Sequence, residues 1–133
     1  MNYWLMKSEP ETYSWDDLKK DKKTVWDGVR NFQARNNLKA MKKGDQVFFY
    51  HSGGVKEIVG IAKIVKEQMP DPKDSAWIAV EIAPVRELKK VVTLTQIKAD
   101  KRLVNMTLVR SSRLSVQPVK EEEFEIVVGL SEK

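Results

Sequence analysis

Clusters of apolar residues along the chain predict several strands. Residues 2–7 are mostly apolar and aromatic and lead to a proline, which is typical of a strand that ends there. Residues 46–52 and 55–67 are rich in Val, Ile, Phe and Tyr, and Gly53-Gly54 between them predicts a turn. These two segments should therefore pair as an antiparallel hairpin. Residues 77–85 alternate between apolar and polar positions and predict a third long strand.

Four segments have the cap residues or the apolar spacing of three and four that are typical of helices: residues 15–20, 31–41, 93–99 and 121–128. The first follows Ser14, and Asp17 three residues later completes a capping pattern. In the second, Ala34 and Leu38 lie on one face. The last begins with three glutamates and should bury Phe124.

The remaining segments are less regular. Residues 69–75 contain two prolines and three charges and predict a loop, and residues 103–109 and 114–119 predict short edge strands. Together the pattern predicts an α+β domain, with a partly closed β-barrel of about five to six strands and short flanking helices. A chain of 133 residues has room for one hydrophobic core, so residues 1–133 should form a single domain.

Composition restricts the class of protein. The chain is 41% hydrophobic and 32% charged, as globular proteins are, and no run approaches the roughly 18 apolar residues of a spanning helix. Lys7, Glu9 and Pro10 interrupt the first apolar stretch, which is unlike a signal peptide. The chain has no cysteine, which excludes disulfides and thiolate metal sites. We expect a cytoplasmic protein, nuclear if the source is eukaryotic, with no membrane partner.

Basic residues are concentrated in one segment. The formal net charge is +5, which by itself is weak evidence for an acidic partner. Residues 19–43, however, contain nine basic and two acidic residues. A basic surface on a small domain is a candidate contact for the phosphate backbone of a nucleic acid. The candidates for this contact are Lys19, Lys20, Arg35, Lys39, Lys42 and Lys43. The alternative for the lysines around residue 20 is a solvated helix surface.

The residues offer little for catalysis. His51 is the only histidine, so a histidine metal cluster cannot form in one chain, and any serine triad would have to use it. His51 and Ser52 are adjacent on a predicted strand and point to opposite faces, which makes them poor partners as base and nucleophile. No glycine-rich phosphate loop is present. We expect no enzyme activity, no metal and no cofactor, and a hydrogen-bonding or pocket-lining role for His51.

Aromatic residues crowd the first 50 positions among the basic ones. Residues 26–31, WDGVRN, place an indole, a flexible glycine, a guanidinium and an amide on one turn before a helix. A base that stacks on an aromatic ring gains roughly 1–3 kcal/mol, and a neighbouring amide or hydroxyl can read its edge. We therefore expect Trp26 to form a pocket wall and Arg30 to meet a phosphate or a carboxylate. Trp4 and Trp77 should belong to the core.

Long ordered blocks of the chain resemble the EVE domain family. They are YWLMKSEP at residues 3–10, WDGVRN at 26–31, QARNNL at 33–38, Gly44-Asp45 with FYHS at 49–52, and LVRSSRLSVQP at 108–118. The blocks span nearly the whole chain, and one departure is Phe32, where the family pattern has tyrosine. The resemblance implies a single EVE domain with a PUA-like fold, related to the RNA-binding PUA, ASCH and YTH domains.

The resemblance also implies a module that reads a modified base in DNA or RNA. YTH domains hold a methylated adenine in an aromatic cage, and their Lys-Ser pair and tryptophan are similar to Lys7-Ser8 and Trp26. Carried over by position, the implied nucleobase pocket consists of Lys7, Ser8, Trp26, Gly28, Val29, Arg30, Asn31, Tyr50, Ser52, Ser112, Arg113, Leu114 and Ser115. Trp26 would stack on the base, and Asn31 or Ser112 would read its edge.

Two alternatives to a non-catalytic reader stay open. One is an enzyme or enzyme subunit that acts on nucleic acid, such as an RNA-processing or nuclease-like activity, although the missing metal-ligand cluster counts against it. The other is an adaptor whose pocket accepts a small metabolite. The sequence does not specify the modification, the choice between DNA and RNA, the oligomeric state or the partner proteins.

Overall fold

The structure, a computed structural model, describes residues 1–133 and is organised around a six-stranded mixed sheet. The strands are β1 Tyr3–Ser8, β2 Thr24–Trp26, β3 Gln46–His51, β4 Glu57–Asp71, β5 Asp74–Thr93 and β6 Val116–Val119. Their order across the sheet is β2-β5-β4-β3-β1-β6. Strands β1 and β3 are parallel, and the other neighbours are antiparallel. Strands β2 and β6 do not pair, so the sheet is not closed, in agreement with the prediction of an α+β domain with a partly closed barrel.

Short helices pack around this sheet. They are α1 Trp15–Asp21, α2 Phe32–Ala40, α3 Leu94–Ala99, α4 Thr107–Arg110 and α5 Glu121–Ser131, with a 3-10 turn at Lys101–Leu103. The predicted cap of α1 is confirmed, because the Ser14 hydroxyl accepts from the Asp17 amide and the Asp17 carboxylate accepts from the Ser14 amide. No helix of the chain has the length and apolar character needed to cross a membrane.

Alternating residues of β3 supply two hydrophobic clusters. Val47 and Phe49 belong to a cluster with the buried residues of α1 and α2. Phe48 and Tyr50 belong to a second cluster, in which Phe48 stacks on Phe124 of α5 with ring centroids 4.5 Å apart. Successive side chains of a strand point to opposite faces, so helices cover both faces of the sheet. The predicted β3–β4 hairpin is confirmed by its antiparallel register.

Two expectations about the elements are wrong, and one strand has no sequence signal. Residues 69–75 are not a long loop, because β4 continues to Asp71 and β5 begins at Asp74, which leaves only Pro72 and Lys73 as the turn. Pro70 pairs with Ile78, and bulges in this ladder accommodate the proline. Residues 103–109 are not a strand. The Asp100 carboxylate accepts from the Arg102 amide and starts the 3-10 turn, which α4 follows. Strand β2 was not predicted, since its three residues are too few to show a period.

Candidate nucleobase pocket

A cavity of about 650 Å³ opens beside the ends of β1 and β2. Its walls come from the end of β1, from β2 with the turn that follows it, from the segment before α1, and from the residue that precedes β6. We call it the Trp26 cavity; it is lined by Lys7, Ser8, Glu9, Thr12, Tyr13, Thr24, Val25, Trp26, Asp27, Gly28, Val29, Arg30 and Ser115. The volume falls within the roughly 300–1,000 Å³ of small-molecule sites. The hydroxyl and charged groups among the lining residues can read a polar ligand edge.

Two aromatic neighbours orient the Trp26 indole. Phe49 from the core meets it edge-on with ring centroids 5.6 Å apart, and Tyr13 meets it edge-on at 6.4 Å. Trp26 is half-buried, with part of the side chain packed on the core and part lining the cavity. The Tyr13 hydroxyl donates to Asp21 at 2.9 Å, which fixes the second ring. The two neighbouring rings therefore fix the orientation of the indole, on which a base can stack.

Asp71, at the end of β4, anchors the turn that follows Trp26. One carboxylate oxygen accepts from the Gly28 amide at 2.8 Å and from the Arg30 guanidinium at 3.0 Å, and the other accepts from the Lys73 amide at 2.7 Å. Burial raises the pKa of Asp71, but Arg30 and the two amides outweigh this effect and lower the pKa to about 2. Gly28 has φ +80°, a left-handed conformation that favours glycine. The ionised carboxylate of Asp71 therefore fixes Gly28 and Arg30, which line the Trp26 cavity.

Arg30 also joins an aromatic and cationic stack beside the cavity. Its guanidinium carbon lies 5.6 Å from the Trp77 ring centroid, and Trp77 stacks on Phe32 at 5.2 Å. Arg35 covers the Phe32 ring at 5.0 Å. The expectation that Trp77 is a core residue is therefore wrong: it is half-buried and packs on a phenylalanine that is 66% exposed. Its partners in this stack come from the surface turn before α2 and from α2 itself.

A second cavity of about 530 Å³ adjoins the first and shares Lys7, Glu9 and Ser115 with it. We call it the lysine cavity; its other lining residues are Tyr50, Ser52, Lys56, Leu94, Lys98, Leu108 and Ser112. Between the two cavities, the Lys7 ammonium donates to the Ser112 carbonyl at 2.6 Å. Burial lowers the pKa of Lys7, and the charge of Lys56 lowers it further.

The structure divides the predicted pocket residues into three groups. At the Trp26 cavity it brings together Lys7, Ser8, Trp26, Gly28, Val29, Arg30 and Ser115, and at the lysine cavity Tyr50, Ser52 and Ser112 join Lys7 and Ser115. Asn31, Arg113 and Leu114 line neither cavity. Asn31 caps α2, where its amide oxygen accepts from the Ala34 amide at 2.9 Å. Leu114 is buried in the core and Arg113 is exposed.

Several residues that line or support the two cavities had no sequence signal. Tyr13 and Thr12 follow the Pro10 bend, and Asp71 lay in the segment expected to be a loop. Lys56 and Lys98 are surface lysines of the sequence that only the fold brings to one cavity. Asp27, at the Trp26 cavity, forms an ion pair with Lys73 at 3.5 Å.

The candidates for phosphate-backbone contact differ in exposure and in whether a carboxylate already pairs with their charge. The Lys19 ammonium pairs with Glu87 and with Asp16. Arg35 is half-buried against Phe32 and Trp77, whereas the remaining candidates are exposed: Lys20, Lys39, Lys42 and Lys43. The imidazole of His51 accepts from the Trp15 amide at 3.0 Å through Nε2, which is the hydrogen-bonding role expected for it.

An incompletely closed mixed sheet, helices on both faces and a cavity at the strand ends are the features of a PUA-like domain. The YTH domain of Zygosaccharomyces rouxii, solved with N6-methyladenosine RNA, shares this fold with a TM-score of 0.63 at 15% identity, over 99% of this chain and 85% of that chain.

The EVE domain family model matches residues 2–130, and the chain belongs to this family. Mouse thymocyte nuclear protein 1 is 41% identical over 98% of this chain and 74% of its own length. The crystal structure of human THYN1 protein in complex with DNA containing 5-methylcytosine has a TM-score of 0.94 at 38% identity, over 100% of this chain and 99% of that chain. The family resemblance of the sequence blocks is thereby confirmed.

Proposed function

We propose that this chain is a non-catalytic module that binds a modified nucleobase of DNA or RNA in the Trp26 cavity. The observation that carries the proposal is the half-buried indole of Trp26, held edge-on by Tyr13 and Phe49 as a wall of a cavity about 650 Å³ in volume. The complex of the human relative with DNA containing 5-methylcytosine supports this ligand class and makes 5-methylcytosine the first probe.

A concave site of this kind requires the base to leave the nucleic-acid stack. Unpaired or easily flipped bases should therefore bind more tightly than paired ones. One added methyl group in an apolar niche contributes about 1–3 kcal/mol, so the preference over the unmodified base should be roughly 10- to 200-fold. Phosphate contacts would add affinity without discrimination.

The state of His51 supports binding over catalysis. Its Nε2 accepts from the Trp15 amide, and burial lowers the pKa of the imidazole. The lone pair of this nitrogen is thus used to hold the first turn of α1 and is not free to take a proton from a nucleophile. Hydrolysis of an oligonucleotide that a His51→Ala variant loses, with its fold intact, would favour the enzyme alternative.

Calorimetric titration with matched modified and unmodified oligonucleotides tests the proposal. Trp26→Ala should abolish the preference for 5-methylcytosine and leave the salt-sensitive background binding. Tyr3→Ala is the matched control, because Tyr3 is also a half-buried aromatic residue, packs on Phe124 of α5 and lines neither cavity. Circular dichroism of each variant checks the fold. If Trp26→Ala stays folded and keeps full discrimination, the base binds elsewhere.

A further inference from the structure

Three lysines meet in the lysine cavity without an acidic partner. Lys7 comes from β1, Lys56 from the residue before β4, and Lys98 from α3. None of them belongs to any of the chain's ion pairs. Lys7 is half-buried, whereas Lys56, Lys98 and Glu9, the one carboxylate that lines the cavity, are exposed. Positive charges that line one cavity add up to a local positive potential, which attracts an anion. The cluster therefore has the electrostatics of an anion site.

Neutral hydroxyl donors complete the cluster. Ser52, Ser112 and Ser115 line the same space. The buried Tyr50 also lines the cavity, and its phenol hydroxyl, which is protonated at neutral pH, can donate. Ammonium and hydroxyl groups together satisfy the several acceptor oxygens of a phosphate better than the two of a carboxylate.

The position of the cavity indicates which phosphate it takes. Lys7, Glu9 and Ser115 line both cavities, so the two spaces adjoin and one nucleotide could extend from one into the other. We infer that the lysine cavity is a phosphate site, in which Lys7, Lys56 and Lys98 hold a backbone phosphate next to the nucleotide whose base enters the Trp26 cavity. The identification of the anion as a backbone phosphate rests on the proposed function. The anion site itself depends only on the three lysines and the hydroxyl donors.

The test uses probes with and without the base. Inorganic phosphate, followed through the NMR amide shifts of Ser52 and Ser112, reports on the cluster alone. Calorimetry with 5-methyl-2′-deoxycytidine and with its 3′- and 5′-monophosphates reports on the link to the base. The variant is Lys56→Gln with Lys98→Gln, and the matched control is Lys89→Gln with Lys90→Gln, which removes the same charge from exposed positions of β5 that line neither cavity.

In the wild type and the control, inorganic phosphate should shift both amides saturably, and one monophosphate should bind about tenfold more tightly than the nucleoside, as charge-assisted hydrogen bonds require. Both effects should disappear in the Lys56, Lys98 variant, while nucleoside binding persists. Absence of saturable shifts, or an equal loss in the control, overturns the phosphate site. Monophosphates no tighter than the nucleoside overturn its link to the base. If the nucleoside fails to bind but inorganic phosphate still does, the proposed base pocket fails and the anion site stands.

Discussion

Asp71 holds the turn that carries Gly28 and Arg30, and its ionisation couples this turn to pH. Its pKa in the folded chain is about 2, below the ordinary value of 3.8. A carboxyl group whose pKa is depressed on folding stabilises the folded state above its unfolded pKa, and this stabilisation is lost as pH falls through the folded pKa. We therefore expect the free energy of unfolding to fall between about pH 4 and pH 2 in part because Asp71 is protonated.

Asp71→Asn removes this contribution. The variant keeps one oxygen acceptor but loses the charged partner of Arg30, and we expect it to be about 1–3 kcal/mol less stable at pH 7. Urea unfolding of both proteins at several pH values measures the difference, which should shrink as the pH approaches 2. A difference that stays constant with pH would show that Asp71 is not ionised in the way its three hydrogen bonds imply.

Individual site residues were predictable where a local motif fixes their surroundings. Trp26, Gly28 and Arg30 lie on one turn, so the sequence WDGVRN already brought them together. Asn31 belongs to the same stretch, but an asparagine directly before a helix is used by the cap, and this competing role removes it from the cavity. Asp71 is 41 residues from Arg30, and nothing local in the sequence indicates that pairing.

At the scale of elements, the packing of α1 on the sheet depends on Gly60 of β4. A Cβ atom at this position would lie 2.6 Å from the indole ring of Trp15, which is buried. The ring cannot move away, because Phe49 packs against it and the amide of Trp15 is held by His51. The close approach of helix and strand therefore requires glycine at this position.

We expect Gly60→Ala to lower the free energy of unfolding by about 1–3 kcal/mol, the range for overpacked cores. Gly54→Ala is the matched control, since a Cβ there would meet nothing within 4 Å and its φ is not positive. Denaturant unfolding of both variants compares the two costs. Equal costs for the two substitutions would mean that Trp15 repacks and that the contact does not restrain α1.

The elements themselves were predictable to the extent that their signals are local. The cap of α1 and the β3–β4 hairpin were confirmed because a few neighbouring residues determine them. The length of β4 was underestimated, because Pro70 reads as a break in isolation although β4 continues to Asp71 and pairs Pro70 with Ile78. Leu103 and Met106 are both buried and are three residues apart, a helical spacing that a search for short strands passes over.

At the scale of the whole molecule, the basic segment should control background affinity for nucleic acid. Lys39, Lys42 and Lys43 are exposed and outside the chain's ion pairs, whereas Lys19 is held by Glu87 and Asp16. Each phosphate contact releases counterions, so substituting the three free lysines by glutamine should reduce the slope of log affinity against log salt by about 2 for a single strand.

Fluorescence titrations with an unmodified oligonucleotide at several salt concentrations measure this slope. Lys19→Gln is the comparison variant and should change it less, because the Lys19 charge is already compensated. Base discrimination should be unaffected in both variants, since phosphate contacts carry no base information. An unchanged slope in the triple variant would place the backbone contact on another face of the molecule.

In the proposed binding mode, a modified base leaves its stack and enters the Trp26 cavity. A crystal structure of this chain with an oligonucleotide that carries one unpaired 5-methylcytosine would locate the base. We expect the base inside the cavity, with its ring parallel to the indole of Trp26 and its edge near the lining hydroxyls. A base that stays stacked in the nucleic acid, or that binds elsewhere while the cavity contains only solvent, would contradict it.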